Sequence, residues 1–421
     1  GSQNIKTGTV RFVNAIPDSV ALNVAIEKTA FARVGFNNAS ARTPITARKL
    51  RVDVLYQDAN GASVTLINKD HVTVREDRNL AVYLTGPVAT PQLWSVDTAQ
   101  IELAAGRAEI SFVHVATALN DIEVFLTEPA TDISAATPSA TLDLRESVAP
   151  TDIATGDYRL RLRAAGSTTL LFDSGTFSLT DQSRIVFAVI DYFGPGSSPV
   201  RAIRIDTVGT SIFPASATPA AVSVTNLAAD TLSVDASFSS TAGSFSIDDV
   251  DYPAGSATTT TPAATYDTTV IADDNGAAIV AQGSQLIAPS ETRTLVLLGT
   301  ALSGYQNRFI VAPVRPVANE ATVRVIHAAP VAASVDFYLV PANAGVTSNV
   351  PMFTALPILT SAELTMLPGS YDAVFTTATT KDIVAGPLTV NLTARSLNTI
   401  YSHDAIGGGA PGGVIIEQAT P

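Results

Sequence analysis

The chain has 421 residues, 46% hydrophobic, 15% charged and 6% aromatic, and 25 Lys and Arg against 38 Asp and Glu leave a net charge of −13. Its length fits two to four domains at about 100–200 residues each, and its apolar content rules out wholesale disorder. The acidic balance lacks the basic footprint of a nucleic-acid binder, and the absence of cysteine removes disulfide frameworks, thiolate zinc sites and cysteine nucleophiles.

Gly1–Ser2 reads as a cloning remnant, so an export signal is expected upstream, and residues 1–7 form a lead-in. The first predicted strand is Val10-Arg-Phe-Val-Asn-Ala-Ile-Pro17, followed by a second apolar run, Leu22-Asn-Val-Ala-Ile26. A mid-unit strand, Leu50-Arg-Val-Asp-Val54, precedes Asp58-Ala-Asn-Gly61, a hairpin signal because Asn and Gly tolerate positive φ. Leu80-Ala-Val-Tyr-Leu84, the turn at Gly86-Pro87 and a last strand close the unit near Ala105–Gly106.

The same plan then recurs three times. Later openings are Ile110-Ser-Phe-Val-His-Val-Ala116, Val222-Ser-Val-Thr-Asn-Leu-Ala228 and Val323-Arg-Val-Ile-His-Ala-Ala-Pro330. Mid-unit strands begin at Tyr158, Tyr266 and Tyr371, and closing strands begin at Ile185, Thr294 and Leu397. The predicted units are 1–106, 107–218, 219–318 and 319–421, with junctions near Ala105–Gly106, Pro214–Pro219 and Pro316–Asn319. Thr207 to Ala229 carries no charge but is rich in Pro, Ser and Thr, and reads as a linker rather than a membrane span. Short β-branched runs with period-2 alternation predict an all-β chain of four tandem antiparallel β-sandwiches. Short linkers between them would give an elongated array.

The opening of the fourth unit, Arg324, His327 and Pro330 followed by Val335, Asp336 and Tyr338, resembles the bacterial family called domain of unknown function 4397. Pro368, Gly369 and Tyr371 fit the same family, the first unit fits well, and the second and third diverge. The resemblance implies immunoglobulin-like or transthyretin-like sandwiches in an exported or lipid-anchored surface protein, and it implies no activity.

Catalytic signatures are absent: no His-Glu-x-x-His, no Gly-x-Ser-x-Gly elbow and no Walker loop. Gly407, Gly409 and Gly412 spell Gly-x-Gly-x-x-Gly, but at a position where sister units turn between two strands, not where a strand enters a phosphate-binding helix. His114 and His327 share a repeat position with Asn14 and Asn226. Asn and His share hydrogen-bonding capacity but not basicity, so this position is expected to satisfy backbone groups. Tyr158, Tyr266 and Tyr371 are expected to pin a neighbouring loop in the manner of a tyrosine corner.

Two acidic clusters, Asp248-Asp249-x-Asp251 and Asp273-Asp274-Asn275, offer oxygen ligands for Ca²⁺, against the plainer reading of solvated turns. Arg159, Arg161 and Arg163 alternate along one strand and share a face. They could read an acidic glycan bidentately, with the lone Trp94 as a stacking surface, or form a solvated face balanced by cross-strand acids. Net charge runs +1 over residues 8–106, then −5, −6 and −4 in the later units, which suits a membrane-proximal N-terminus.

These readings converge on a non-enzymatic, exported surface or matrix protein without an obligatory cofactor. It is expected at the outer-membrane-anchored cell surface or outside the cell, with the periplasm second. Other surface or matrix proteins, or polysaccharide, are the expected partners. No nucleic acid is expected, and membrane contact only through a lost N-terminal lipid anchor. The alternatives are a module binding acidic glycan with Ca²⁺ assistance, a self-assembling filament or layer subunit, and a hydrolase with an unrecognised site.

Overall fold

The computed structural model describes residues 4–419. Among them the regular structure is strand throughout, and no helix is long and apolar enough to cross a membrane. Eight sheets pair face to face around four apolar cores. Val10, Ile110, Val222 and Val323 occupy the same place, each in the first strand of its sandwich and each turned into its own core.

The first sandwich sets the pattern. One sheet runs in the order Thr43–Thr46, Thr7–Asn14, Arg78–Thr85, Gln92–Ala99; the other runs Thr29–Val34, Leu22–Ile26, Arg48–Gln57, Ser63–Val74. Within the first sheet Thr7–Asn14 pairs in parallel with Arg78–Thr85, and the remaining pairs in both sheets are antiparallel. The later sandwiches repeat this mixed sheet, with parallel pairs between Arg107–His114 and Arg184–Asp191, Ala220–Ala228 and Thr292–Thr300, and Ala321–Ala328 and Leu397–His403. The expected hairpin after Leu50 is present: Gly61 (φ 79°) turns the chain between Arg48–Gln57 and Ser63–Val74.

The chain gathers into two compact units. One runs to Phe193 and takes up Ser197–Ala217; the other comprises Gly194–Gly196 and the chain from Thr218 onward. Each unit holds two sandwiches, and a second apolar layer joins them. In unit one Val13, Tyr83, Val113, Ala188, Ile190 and Ile203 bring the outer faces of the two parallel-pair sheets together. In unit two Leu227, Val296, Leu298, Ile326, Ala328 and Tyr401 do the same.

The opening strands are therefore covered on both faces. Ala220–Ala228 and Ala321–Ala328 are buried at every position, which a strand with one wet face never is. This corrects the linker expectation: the junctions at Ala105–Gly106 and Pro316–Asn319 join sandwiches that pack on one another instead of standing apart. The uncharged stretch from Thr207 is likewise no free linker. Phe213 and Ala215 fill the core of the second sandwich, and Ala220–Ala228 is a central strand of the third.

Candidate functional site

The four equivalent residues Asn14, His114, Asn226 and His327 are wholly buried. Asn14 Nδ2 donates to the Val34 carbonyl (3.0 Å), while its Oδ1 accepts from the Ile16 amide (3.0 Å). Asn226 repeats the pair, donating to Val250 O (3.1 Å) and accepting from the Ala228 amide (3.1 Å). In His114 the ring does the same job: Nδ1 accepts from the Ala116 amide (3.3 Å), and Nε2 faces the Leu119 and Asn120 carbonyls (2.9 and 2.8 Å). His327 Nε2 lies 2.6 Å from Ala332 O, and its Nδ1 meets Ser402 Oγ (2.8 Å), which accepts the Ala328 amide. Amide and neutral imidazole offer one acceptor and one donor at similar reach, which explains the interchange. Burial lowers the pKa of both histidines and keeps the rings neutral.

The repeated tyrosines each donate to the carbonyl four residues upstream: Tyr158 to Ala154 (2.6 Å), Tyr266 to Pro262 (2.6 Å) and Tyr371 to Leu367 (2.7 Å). The loop before each mid-unit strand is thereby tied to that strand. Gly407, Gly409 and Gly412 lie in the turn between Leu397–His403 and Gly413–Ala419, two antiparallel partners. A strand-to-strand turn of this kind lacks the helix N-terminus that a dinucleotide site requires.

Arg159, Arg161 and Arg163 share the outer face of their sheet, opposite the core residues Leu160 and Leu162, and each has partners of its own. Arg159 pairs with Asp173, Arg161 NH2 donates to Thr131 O (2.7 Å) and Thr127 Oγ1 (3.0 Å), and Arg163 pairs with Glu123 (3.0 Å) and covers the Phe125 ring at 4.5 Å. Burial, then the neighbouring Arg159, lower the Arg161 pKa. The cross-strand acids expected to balance this face are present in Asp173 and Glu123, and Arg161 at its centre is only 6% exposed. Trp94 is on a different sandwich and half-buried, its ring 5.4 Å from Tyr83 in the inter-sandwich layer.

The acidic residues regroup. Asp249 (φ 55°) sits at a bulge, and its carboxylate meets Asp235 and Asp273, with ligand oxygens of all three within 4.8 Å. Asp248 instead accepts from Ser246 Oγ (2.8 Å), and Asp273 also takes the Ser233 hydroxyl. The Asp249 amide favours a charged Asp235, but burial and the Asp273 carboxyl outweigh it and raise its pKa. Three oxygens are half or fewer of the six to eight that Ca²⁺ takes. Asp251 lines a shallow depression with Asp248 and Asp249, and Asp274 stands in the neighbouring turn.

The polar residues of the inter-sandwich layers escaped sequence reasoning. Arg11 (3% exposed) donates to Ser40 O (3.3 Å) and Asp206 O (2.5 Å). Its counterpart Arg324 (2% exposed) donates to Val311 O (2.9 Å), Thr294 Oγ1 (3.0 Å) and Thr399 Oγ1 (3.0 Å). In unit two Glu417 accepts from Thr225 Oγ1 (2.6 Å) and from the Tyr401 hydroxyl (3.1 Å). Burial raises the Glu417 pKa, and it raises those of Tyr401 and Tyr83 as well. The available signal was the broken alternation: runs such as Ile185-Val-Phe-Ala-Val-Ile190 leave no polar face for water.

The sequence profile of the family described as Domain of unknown function (DUF4397) matches residues 8–125 and 220–338. The chain belongs to this family. Each match runs through one sandwich into the second strand of the next, so the DUF4397 matches recur once per sandwich pair. No curated protein matches the chain. Among solved structures, the Bacillus anthracis TIE protein is 9% identical over 93% of this chain and 67% of its own, with a TM-score of 0.17. The family CBM26 module CBMbc of Eubacterium rectale Amy13K, solved with maltoheptaose, is 11% identical over 49% of this chain and 98% of its own, with a TM-score of 0.19.

Proposed function

We propose that this DUF4397 protein is a non-enzymatic component of the bacterial cell surface or extracellular matrix, exported and built from paired sandwiches that hold their end loops out to protein or matrix partners. The observation that carries this reading is the use made of the four equivalent Asn and His side chains. In every sandwich this Asn or His is sealed away, holding the backbone that leaves the first strand. Sandwich folds present their loops at the ends of the strands, and loops fixed in this way make pre-ordered contact surfaces. The inter-sandwich layers supply the rigidity such a part needs. No cofactor enters this reading.

The full chain immobilised on arrays of matrix proteins and glycans, together with a panel of hydrolase substrates, tests the proposal. Saturable binding to a surface or matrix component without turnover is the expected result. Turnover of any substrate overturns the non-enzymatic reading, and binding confined to acidic glycans replaces protein docking with polysaccharide attachment. Antibody labelling of intact cells tests the location: signal only after the envelope is broken overturns surface display.

A further inference from the structure

Between the two sandwiches of unit one lies a cavity of about 40 Å³ whose lining includes Arg11, Arg42, Tyr83, Val96, Glu109 and Ser111. Its charges do not balance. Glu109 is engaged by Arg184 at 2.6 Å. Arg11 has only the backbone oxygens of Ser40 and Asp206, and among the described residues Arg42 has no hydrogen bond or ion pair. Burial lowers the Arg11 pKa most, and the nearby charge of Arg42 lowers it further. Burial lowers the Arg42 pKa as well, and the Glu109 carboxylate, already committed to Arg184, offsets that only in part. A buried guanidinium and a half-buried one that share a single engaged carboxylate are costly, and each makes the other costlier.

Unit two shows what fills the same place when the chain supplies it. Strand register puts Arg11 opposite Ala81 and Ala81 opposite Val96; in unit two Arg324 lies opposite Thr399 and Thr399 opposite Glu417. Val96 therefore stands where Glu417 stands, and Tyr83 stands where Tyr401 donates to that carboxylate. On the other side of the first strand, Arg42 continues the register that places Glu363 opposite Arg324. Unit one thus has Val96 and Arg42 where unit two has the carboxylates of Glu417 and Glu363, and it keeps the tyrosine.

We propose that this cavity binds one small monovalent inorganic anion of the halide class, held by Arg11, Arg42 and the Tyr83 hydroxyl in place of the carboxylate that Glu417 provides in unit two. The space exceeds the roughly 10–15 Å³ that one water-sized sphere occupies on the same measure, so it admits a single halide. The ion is structural. It neutralises the layer that joins the two sandwiches, so its binding reads out as stability of unit one.

Bromide is the probe. Crystals of the full chain soaked in sodium bromide, with diffraction recorded at the bromine edge, are expected to show an anomalous peak between Arg11, Arg42 and Tyr83. A cavity without that peak, or bromide only on the outer surface, overturns the proposal. In calorimetry of the full chain, replacing sodium gluconate by sodium bromide at matched ionic strength should raise the unit-one transition by roughly 2–4 °C and leave that of unit two in place. No shift, or equal shifts in both, also overturns it. Val96→Glu supplies the carboxylate from within and should abolish both the peak and the bromide dependence. Should that variant fail to fold, Arg42→Gln at a half-exposed site should weaken both effects without touching unit two.

Discussion

The inter-sandwich layer of unit one and that of unit two solve one packing problem with different polar residues. Both set a buried arginine and a buried tyrosine, Arg11 with Tyr83 and Arg324 with Tyr401, at equivalent strand positions among apolar side chains. Unit two adds Glu417, held by two hydroxyls; unit one places Val96 there and leaves a cavity. The apolar contacts are conserved between the two copies, whereas the charge is adjusted locally. This is the expected order, because contacts over a whole face outweigh any one ion, and a buried ion pair adds little net stability.

The hardest test of the comparison is to remove the shared tyrosines. Tyr83→Ala and Tyr401→Ala should each destabilise their own unit by about 3–5 kcal/mol, as large aromatic deletions in cores do, read as the loss of one calorimetric transition's temperature while the other stays. A change under about 1 kcal/mol in either would mean that the second layer does not fold cooperatively with the sandwiches.

Gly255→Ala comes next. An added Cβ would lie 2.0 Å from Glu417 Oε1, so overpacking should cost about 1–3 kcal/mol in unit two. Glu417→Ala in the same chain should recover part of that cost, and strict additivity in a double-mutant cycle would break the link between the two residues.

Tyr401→Phe should cost about 1 kcal/mol by taking a donor from Glu417, and Tyr83→Phe should cost less because its hydroxyl has no protein carboxylate to serve. Equal losses would erase the distinction between the units.

The smallest effect is in pH. Folding raises the Glu417 pKa above its ordinary 4.5, so between that value and the folded one the native state holds a proton that the unfolded chain has released. The residue's contribution is therefore full below pH 4.5 and is lost as pH rises through the folded value. Glu417→Gln should flatten this part of the unit-two stability profile, and an unchanged slope would place the burial elsewhere.

Much of this architecture was legible in the sequence, because side-chain period and repeat spacing are local signals. Val10, Ile110, Val222 and Val323 fall where the repeat placed them, and the Asn-for-His exchange at residues 14, 114, 226 and 327 foretold a bonding role that either side chain fills. Period-2 reasoning set Arg159, Arg161 and Arg163 on one face, but their partners Asp173, Glu123 and Thr131 come from other segments of the chain. The bulge that carries Asp249 away from Asp248 and toward Asp235 and Asp273 is a tertiary event with no sequence period. The inter-sandwich layer was missed for a related reason. An outer face that meets water and one that meets a neighbouring sheet differ only by a few apolar residues, such as Val13, Ala188 and Ile203.

The recurrence of the family match once per pair has a practical corollary for anyone dissecting or recombining such chains. Cutting after residue 106 would strip the partner from Val13, Ala81 and Tyr83 and leave a greasy plate open to solvent, inviting precipitation or spurious dimers. Fragments cut as whole pairs, residues 4–217 for example, keep that plate covered, and gene duplication would have faced the same constraint.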